Sequence, residues 1–313
     1  MKDPENEYLV NYLVVMNKAG RRFSSADDNC WGGLLLPADT ENPGKTDKGL
    51  KVALFASWKF GYILLETLKR FEVKYPGRLN LVGLVTDNPL NPDARISRKK
   101  RVWNALEIPI QVVHETGMIE SGLSHGIPVY TGEVKIQSFY SLLREWNPDA
   151  ILVCVFGQII DPVIADYPPY GIYNFHPSDL AHHLGGGPAP INDLRERNAD
   201  TTVWTVHFVS QELDAGHIVG QSPPIYIKNR SGILPEDQFV IWDKVSEALS
   251  PLGYCMIEEL CRHVESNRPG PVYTIDFEKL MPDEVKKKLI LPITADSADD
   301  LLPEPGGQIF TSI

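Results

Sequence analysis

From Lys51 the chain runs KVALFAS, a short and nearly continuous apolar stretch. A strand buried on both faces of a parallel sheet reads this way, whereas a half-exposed strand would alternate. The residues that follow, Gly61 to Val73, put Leu64, Leu65, Leu68 and Phe71 at helical spacing. LNLVGLVTD (79–87) and IPVYTG (127–132) supply two further strands. KIQSFYSLLREW (135–146) reads as a helix, AILVCVF (150–156) as a strand, and GIYNFH (171–176) as a strand end. Strands alternating with helices of this length predict an α/β fold built on a doubly wound, mostly parallel sheet with right-handed crossovers.

Outside this core the pattern is weaker. Residues 1–49 show no clean period, and Ser24 to Lys48 is rich in Asp, Gly, Pro and Asn, so this part is read as an N-terminal extension with little regular structure. Residues 89–124 are long for a connection and carry ARISRKKR (94–101), read as a solvated, partly helical surface rather than a phosphate contact. TTVWTVHFVS (201–210) and HIVGQSPPIYI (217–227) read as an antiparallel pair around a loop, and Asp243 to Val264 as a helix. The division that follows is 1–49 as extension, 50–228 as the catalytic domain, and 229–313 as a helical segment and tail.

Composition narrows the function. A formal charge of −11 repels a phosphate backbone at long range, which disfavours a nucleic-acid partner. Cysteines 30, 154, 255 and 261 form no C-x-x-C pair, and the apolar run Tyr8 to Met16 is too short to span a membrane. Reduced thiols without a visible export signal imply a cytoplasmic protein with no membrane partner; self-association into a homo-oligomer stays open.

In an open parallel sheet, ligands gather where loops leave the carboxyl ends of strands. Two such ends carry chemistry here: VFGQIIDP after the strand at 150–156, and NFHPSDL, in which Asn174 and His176 lie two residues apart on one strand face. Three motifs in order, Asn174-Phe175-His176-Pro177-Ser178, Gly185-Gly186-Gly187-Pro188-Ala189-Pro190-Ile191 and Leu213-Asp214-Ala215-Gly216, resemble the 10-formyltetrahydrofolate-dependent formyltransferase superfamily over about Lys51 to Ile227. TVHFVSQELDAGHIVGQ is similar to the glycinamide ribonucleotide and hydrolase branches, and VFGQIIDP to the methionyl-tRNA branch.

The resemblance implies a Rossmann-like formyltransferase fold, 10-formyltetrahydrofolate as cosubstrate, and no metal. Formyl transfer sends an amine onto a formyl carbon through a tetrahedral intermediate, so the site must stabilise an oxyanion and handle the amine's protons. Asn174 can donate its amide hydrogens to the oxyanion, protonated His176 can add a donor, and Asp214 can accept a proton. The implied folate contacts are Phe156, Gly157, Gln158, Ile159, Ile160, Ser210, Gln211 and Leu213; acceptor-side candidates are Ser57, Ser178, Gly186 and Gly187.

Trp58 stands where glycinamide ribonucleotide enzymes carry a glycine-rich phosphate loop, and the acidic C-terminus does not read as a basic tRNA-binding domain. The expected acceptor is therefore a small-molecule amine. Hydrolysis of the formyl donor, or folate binding without catalysis, is the alternative. His176, Asp179 and His183 also suggest a metal hydrolase, which the lack of further ligands opposes. His207 and His217 are read as packing or edge residues.

Overall fold

A computed structural model describes residues 20–26, 30–38, 47–86, 108–187, 190–210 and 212–294 of the 313-residue chain. Gln211 and most of the basic segment's surroundings, residues 87–107, lie outside the described residues.

The parallel core is β3 (Leu50–Ala56), β4 (Leu79–Thr86), β5 (Val129–Gly132), β6 (Ala150–Cys154) and β7 (Ile172–His176). Two strands before it, β1 (Gly20–Ala26) and β2 (Cys30–Leu36), form a hairpin, and β9 (Thr205–Phe208) and β10 (Ile218–Gln221) another. Together they make one nine-stranded sheet, ordered β1-β2-β5-β4-β3-β6-β7-β9-β10. Parallel pairing links β5, β4, β3, β6 and β7, and antiparallel pairing joins β2 to β5 and β9 to β7. A separate pair, β8 (Thr201–Thr202) and β11 (Ile225–Tyr226), is also antiparallel.

The unbroken apolar runs are explained by two cores. Alternate residues of β3 divide between them: Val52, Leu54 and Ala56 face one, Ala53 and Phe55 the other. Helices α1 (Trp58–Lys74) and α2 (Ile108–Ser124) cover the first face with Leu64, Leu65, Leu68, Phe71, Met118 and Leu123. Helix α3 (Gln137–Trp146) covers the second with Phe139, Leu142, Leu143 and Trp146. There the Trp146 ring lies flush on β4: a Cβ on Gly83 would sit 2.3 Å from it. A helix-to-sheet approach that close requires glycine at this position.

Short elements α4 (Pro162–Ala165) and α5 (Pro190–Glu196) border the loops at the carboxyl ends of the strands. Helices α6 (Gln238–Ser246), α7 (Leu249–Glu265), α8 (Phe277–Leu280) and α9 (Asp283–Leu289) complete the described chain. α6 and α7 occupy the region expected to be one helix. α7 lies against α1 through the Thr67–Ser250 hydrogen bond and the Tyr75–Tyr254 hydroxyl contact. Lys59 and Asp243 join α1 to α6 across 2.5 Å.

The N-terminal expectation needs correction. Residues 20–26 and 30–36 are not irregular: their strands extend the sheet, β2 pairing with β5 at Gly32↔Gly132 through Leu35↔Val129. The sequence between Ser24 and Lys48 carries turn formers, but backbone pairing to an existing strand edge overrides a weak local preference. Among the described residues no helix is long and apolar enough to cross a membrane.

Replacing Gly83 with Ala should destabilise the fold by about 1–3 kcal/mol through overpacking against Trp146. Urea unfolding measures it; an unchanged midpoint would mean that the ring does not bear on β4.

Candidate active site

The loops after β6 and after β9 flank the end of β7 and enclose a cavity of about 320 Å³. Asn174 and His176 stand on the same side of β7, because residues two apart in a strand share a face; Tyr173 and Phe175 point into the opposite core. β9 runs antiparallel beside them, registering Asn174 against His207 and His176 against Thr205. Asp214 comes from the loop that follows, in a left-handed conformation (φ 54°). Gly216 makes that loop feasible, since a Cβ there would meet the Phe208 carbonyl oxygen at 1.7 Å.

Asn174, His176, His207, Asp214 and Gly187 all line the cavity. Their hydrogen bonds form one connected set. Asp214 Oδ2 accepts from the Gly187 N–H at 2.8 Å and lies 3.2 Å from His176 Nε2. The Gly187 carbonyl oxygen lies 3.3 Å from the same nitrogen. Both neighbours of Nε2 are acceptors, so Nε2 carries a hydrogen. On the other side of the ring, Nδ1 is 2.8 Å from Ser178 Oγ. Asn174 Nδ2 is 3.0 Å from His207 Nε2 and 3.5 Å from Asp214 Oδ1.

Burial alone would raise the pKa of Asp214. The His176 imidazole, by hydrogen bond and charge, and the Gly187 N–H outweigh it, so the carboxyl group titrates below the ordinary carboxylate range. The cavity therefore holds a carboxylate at neutral pH. Three non-glycine lining residues have positive φ, Trp58 (60°), Val155 (52°) and Asp214 (54°). For a β-branched residue such as Val155 this is a strained backbone that the surrounding fold must hold in place.

Two kinds of wall surround these groups. Phe156, Ile159, Ile160, Val209 and Leu213 give the loops after β6 and β9 an apolar lining, with Ile159 and Leu213 about half exposed at 49% and 53%. Trp58, Phe60, Ile191 and Trp242 form an aromatic and aliphatic wall, joined by Asn192 and Gln238. Phe60 holds this wall together: its ring lies 4.6 Å from Trp58, 5.0 Å from Trp204 and 5.7 Å from Trp242, centroid to centroid.

Of the folate contacts expected from sequence, Phe156, Gln158, Ile159, Ile160, Ser210 and Leu213 line the cavity. Gly157 is buried and does not line it. Gln158 spends its side-chain amide on the turn after β5, accepting from Val134 N–H at 3.1 Å and donating to the Gly132 carbonyl at 2.8 Å. Gln211 falls outside the described residues.

Among the acceptor-side candidates only Gly187 reaches the cavity. Ser57 is buried at the start of α1, Gly186 is exposed, and Ser178 is buried beneath His176. The serines were placed by nearness in sequence, and the backbone turns each away from the opening. The metal grouping separates as well. Asp179 bonds His182 and Gln221, and among the described residues no cluster of three or more His, Cys, Asp or Glu could hold a metal ion.

Sequence reasoning passed over His207. It lines the cavity, whereas His217 lies outside it and meets the Tyr273 carbonyl at 3.0 Å. The available signal was alternation: with Val206 and Phe208 flanking it on β9, His207 had to share a face with Asn174 once the two strands were antiparallel.

Known proteins agree with this architecture. A family profile described as formyl transferase matches residues 85–233. The methionyl-tRNA formyltransferase of Dictyoglomus turgidum is 27% identical over 226 residues, covering 71% of this chain and 61% of the relative. That of Dictyoglomus thermophilum is 27% identical over 273 residues, covering 83% and 76%. The chain thus spans less than two thirds of the first of these relatives. Among solved structures, the phosphoribosylglycinamide formyltransferase of Anaplasma phagocytophilum shares the fold, with a TM-score of 0.50 at 20% identity over 69% of this chain and 88% of that one.

Over residues 85–233 the chain is similar to the formyltransferase superfamily. Its relatives overturn one expectation from composition. Methionyl-tRNA formyltransferases are named for a nucleic-acid-borne acceptor, so a small-molecule amine with nucleic acid excluded no longer stands. Net charge misled because it averages over the whole surface, while a polyanion responds to local charge.

Because the folded pKa of Asp214 is lowered, its ionised form stabilises the fold above the unfolded value of about 3.9, and that contribution fades as pH falls through the folded value. The stability difference between wild type and Asp214→Asn should be flat from about pH 5 to 7 and shrink below about pH 4. A difference that titrates near neutrality would mean that burial, not His176, governs the group.

Proposed function

We propose that this protein transfers the formyl group of 10-formyltetrahydrofolate to a primary amine, with Asn174, His176 and Asp214 acting on the reacting atoms. The observation that carries this reading is the meeting of amide, imidazole and carboxylate at one cavity end. The folate supplies an activated formyl carbon bound to nitrogen. Asn174 and His176 donate hydrogen bonds to the oxygen of that group as it becomes an oxyanion. Asp214, held ionised, accepts a proton from the attacking amine directly or through water; collapse of the intermediate then breaks the bond between the formyl carbon and the folate nitrogen, which leaves as the protonated amine of tetrahydrofolate.

The apolar loops after β6 and β9 suit the cosubstrate. Phe156, Ile160, Val209 and Leu213 offer flat, uncharged surface for a heteroaromatic ring, with the backbone of both loops left to read its polar edge. In this reading residues 50–228 form the catalytic unit in the cytoplasm, braced by the helices after Lys228. No step requires a metal.

For the acceptor, the relatives support the α-amine of an aminoacyl-tRNA. The sequence between Thr86 at the end of β4 and Ile108 at the start of α2 contains Arg95, Arg98, Lys99, Lys100 and Arg101. β4 ends at Thr86 on the carboxyl side of the sheet, as the site strands do, and a run of five cations in the sequence that follows suits a phosphate backbone despite the acidic total.

Three measurements test the reading. Tetrahydrofolate release should depend on added methionyl-tRNA, and Asn174→Ala should slow turnover ~10²–10³-fold while folate affinity changes far less. Release without an amine would indicate hydrolysis; near-normal turnover of the variant would remove Asn174 from the mechanism. Alanine at positions 98 to 101 should weaken tRNA use and flatten its salt dependence. An unaltered salt slope would mean that this segment does not meet the acceptor.

A further inference from the structure

His207 is 2% exposed and lines the cavity. Its Nδ1 lies 2.8 Å from the Phe208 carbonyl oxygen, which can only accept, so Nδ1 carries the hydrogen. In the neutral ring Nε2 is then a lone pair, and the group 3.0 Å away is the side-chain amide of Asn174. An amide nitrogen donates and an amide oxygen would be repelled, so this contact decides which way the Asn174 amide faces.

That choice has a chemical consequence. Asn174 has two N–H bonds fixed about 120° apart by the planar nitrogen. One is taken by His207 at 3.0 Å; the other has only a long contact, 3.5 Å, with Asp214 Oδ1. The second N–H is the one that a substrate oxygen can capture at little cost. Were the amide turned over, its oxygen would face both the Nε2 lone pair and the site carboxylate, and would meet a developing oxyanion with like charge.

We propose that His207 is a positioning residue: its Nε2 lone pair holds the Asn174 amide in the one orientation that offers an N–H to the formyl oxygen. The inference rests on the formyl-transfer reading for its effect on rate, but not for its hydrogen-bond geometry. The register of β7 with β9 supplies the geometry, since Asn174 and His207 are direct cross-strand partners. The charged or titratable groups facing the ring are Asp214, 3.7 Å from Nε2, and His176, with ring centroids 6.5 Å apart. On its other edge β9 meets Ile218 of β10, which brings no charge. Burial holds the His207 pKa below the ordinary histidine value, against the Phe208 carbonyl and the Asp214 charge, which favours the neutral ring this role needs.

Two variants separate positioning from packing. His207→Leu fills the space without an acceptor and should lower kcat roughly 10- to 100-fold with the folate KM nearly unchanged. His207→Gln can return an amide oxygen near the Nε2 position and should retain turnover within about fivefold of wild type. Equal losses in both, or full activity in His207→Leu, would overturn the proposal. If the leucine variant fails to fold, nitrogen NMR of the wild-type protein decides: the expected pattern is a hydrogen on Nδ1, none on Nε2, and a coupling from the Asn174 amide to Nε2 through the hydrogen bond. A hydrogen on Nε2 would end the idea. A wild-type protein without formyl transfer but with this NMR pattern would count against the proposed function, not against the positioning.

Discussion

The register between β7 and β9 is the constraint on which the site depends. It sets Asn174 across from His207 and His176 across from Thr205, and it brings the chain back so that the next loop drops Asp214 between them. A carboxylate, two imidazoles and an amide enclosed together would repel or strand one another if misplaced, since an unpaired buried polar group costs about 1–3 kcal/mol. Here each finds a partner: Asp214 takes Gly187 and His176, His176 takes Ser178, Asn174 takes His207, and His207 takes a carbonyl of its own strand. A slip by one residue would turn both polar side chains of β7 into the apolar core.

The parallel sheet beneath supplies rigidity. β3 and β6 are buried on both faces, and side chains of α1, α3 and α7 pack in the two cores that flank the sheet. Strain at Val155 and the left-handed turn at Asp214 can persist because this scaffold holds their neighbours. Helix α6 adds Trp242 to the cavity wall and is tied to the core where Trp204 donates to the Val245 carbonyl at 2.9 Å. Helix α6 therefore shapes the cavity as well.

Much of this was legible in the residues. KVALFAS and AILVCVF announced doubly buried strands because Val52 to Ala56 and Ala150 to Phe156 are unbroken apolar runs, and the N-x-H spacing placed two polar groups on one face. What stayed hidden depends on contacts between distant segments. β1 and β2 carry a weak local signal and gain their order from the free edge of β5. Ser57 and Ser178 look like site residues because of their neighbours in sequence, yet their side chains are buried outside the cavity. His207 looked like packing because its partner lies 33 residues earlier in the chain. Excluding a nucleic-acid partner failed for a related reason, as total charge says nothing of a local run such as ARISRKKR.

The most direct test of the account is a crystal structure with a stable analogue of 10-formyltetrahydrofolate. The ring should lie between the loops after β6 and β9, with the formyl oxygen ~3 Å from Asn174 Nδ2 and His176 Nε2. An analogue bound elsewhere, or one whose formyl oxygen points away from both donors, would contradict it.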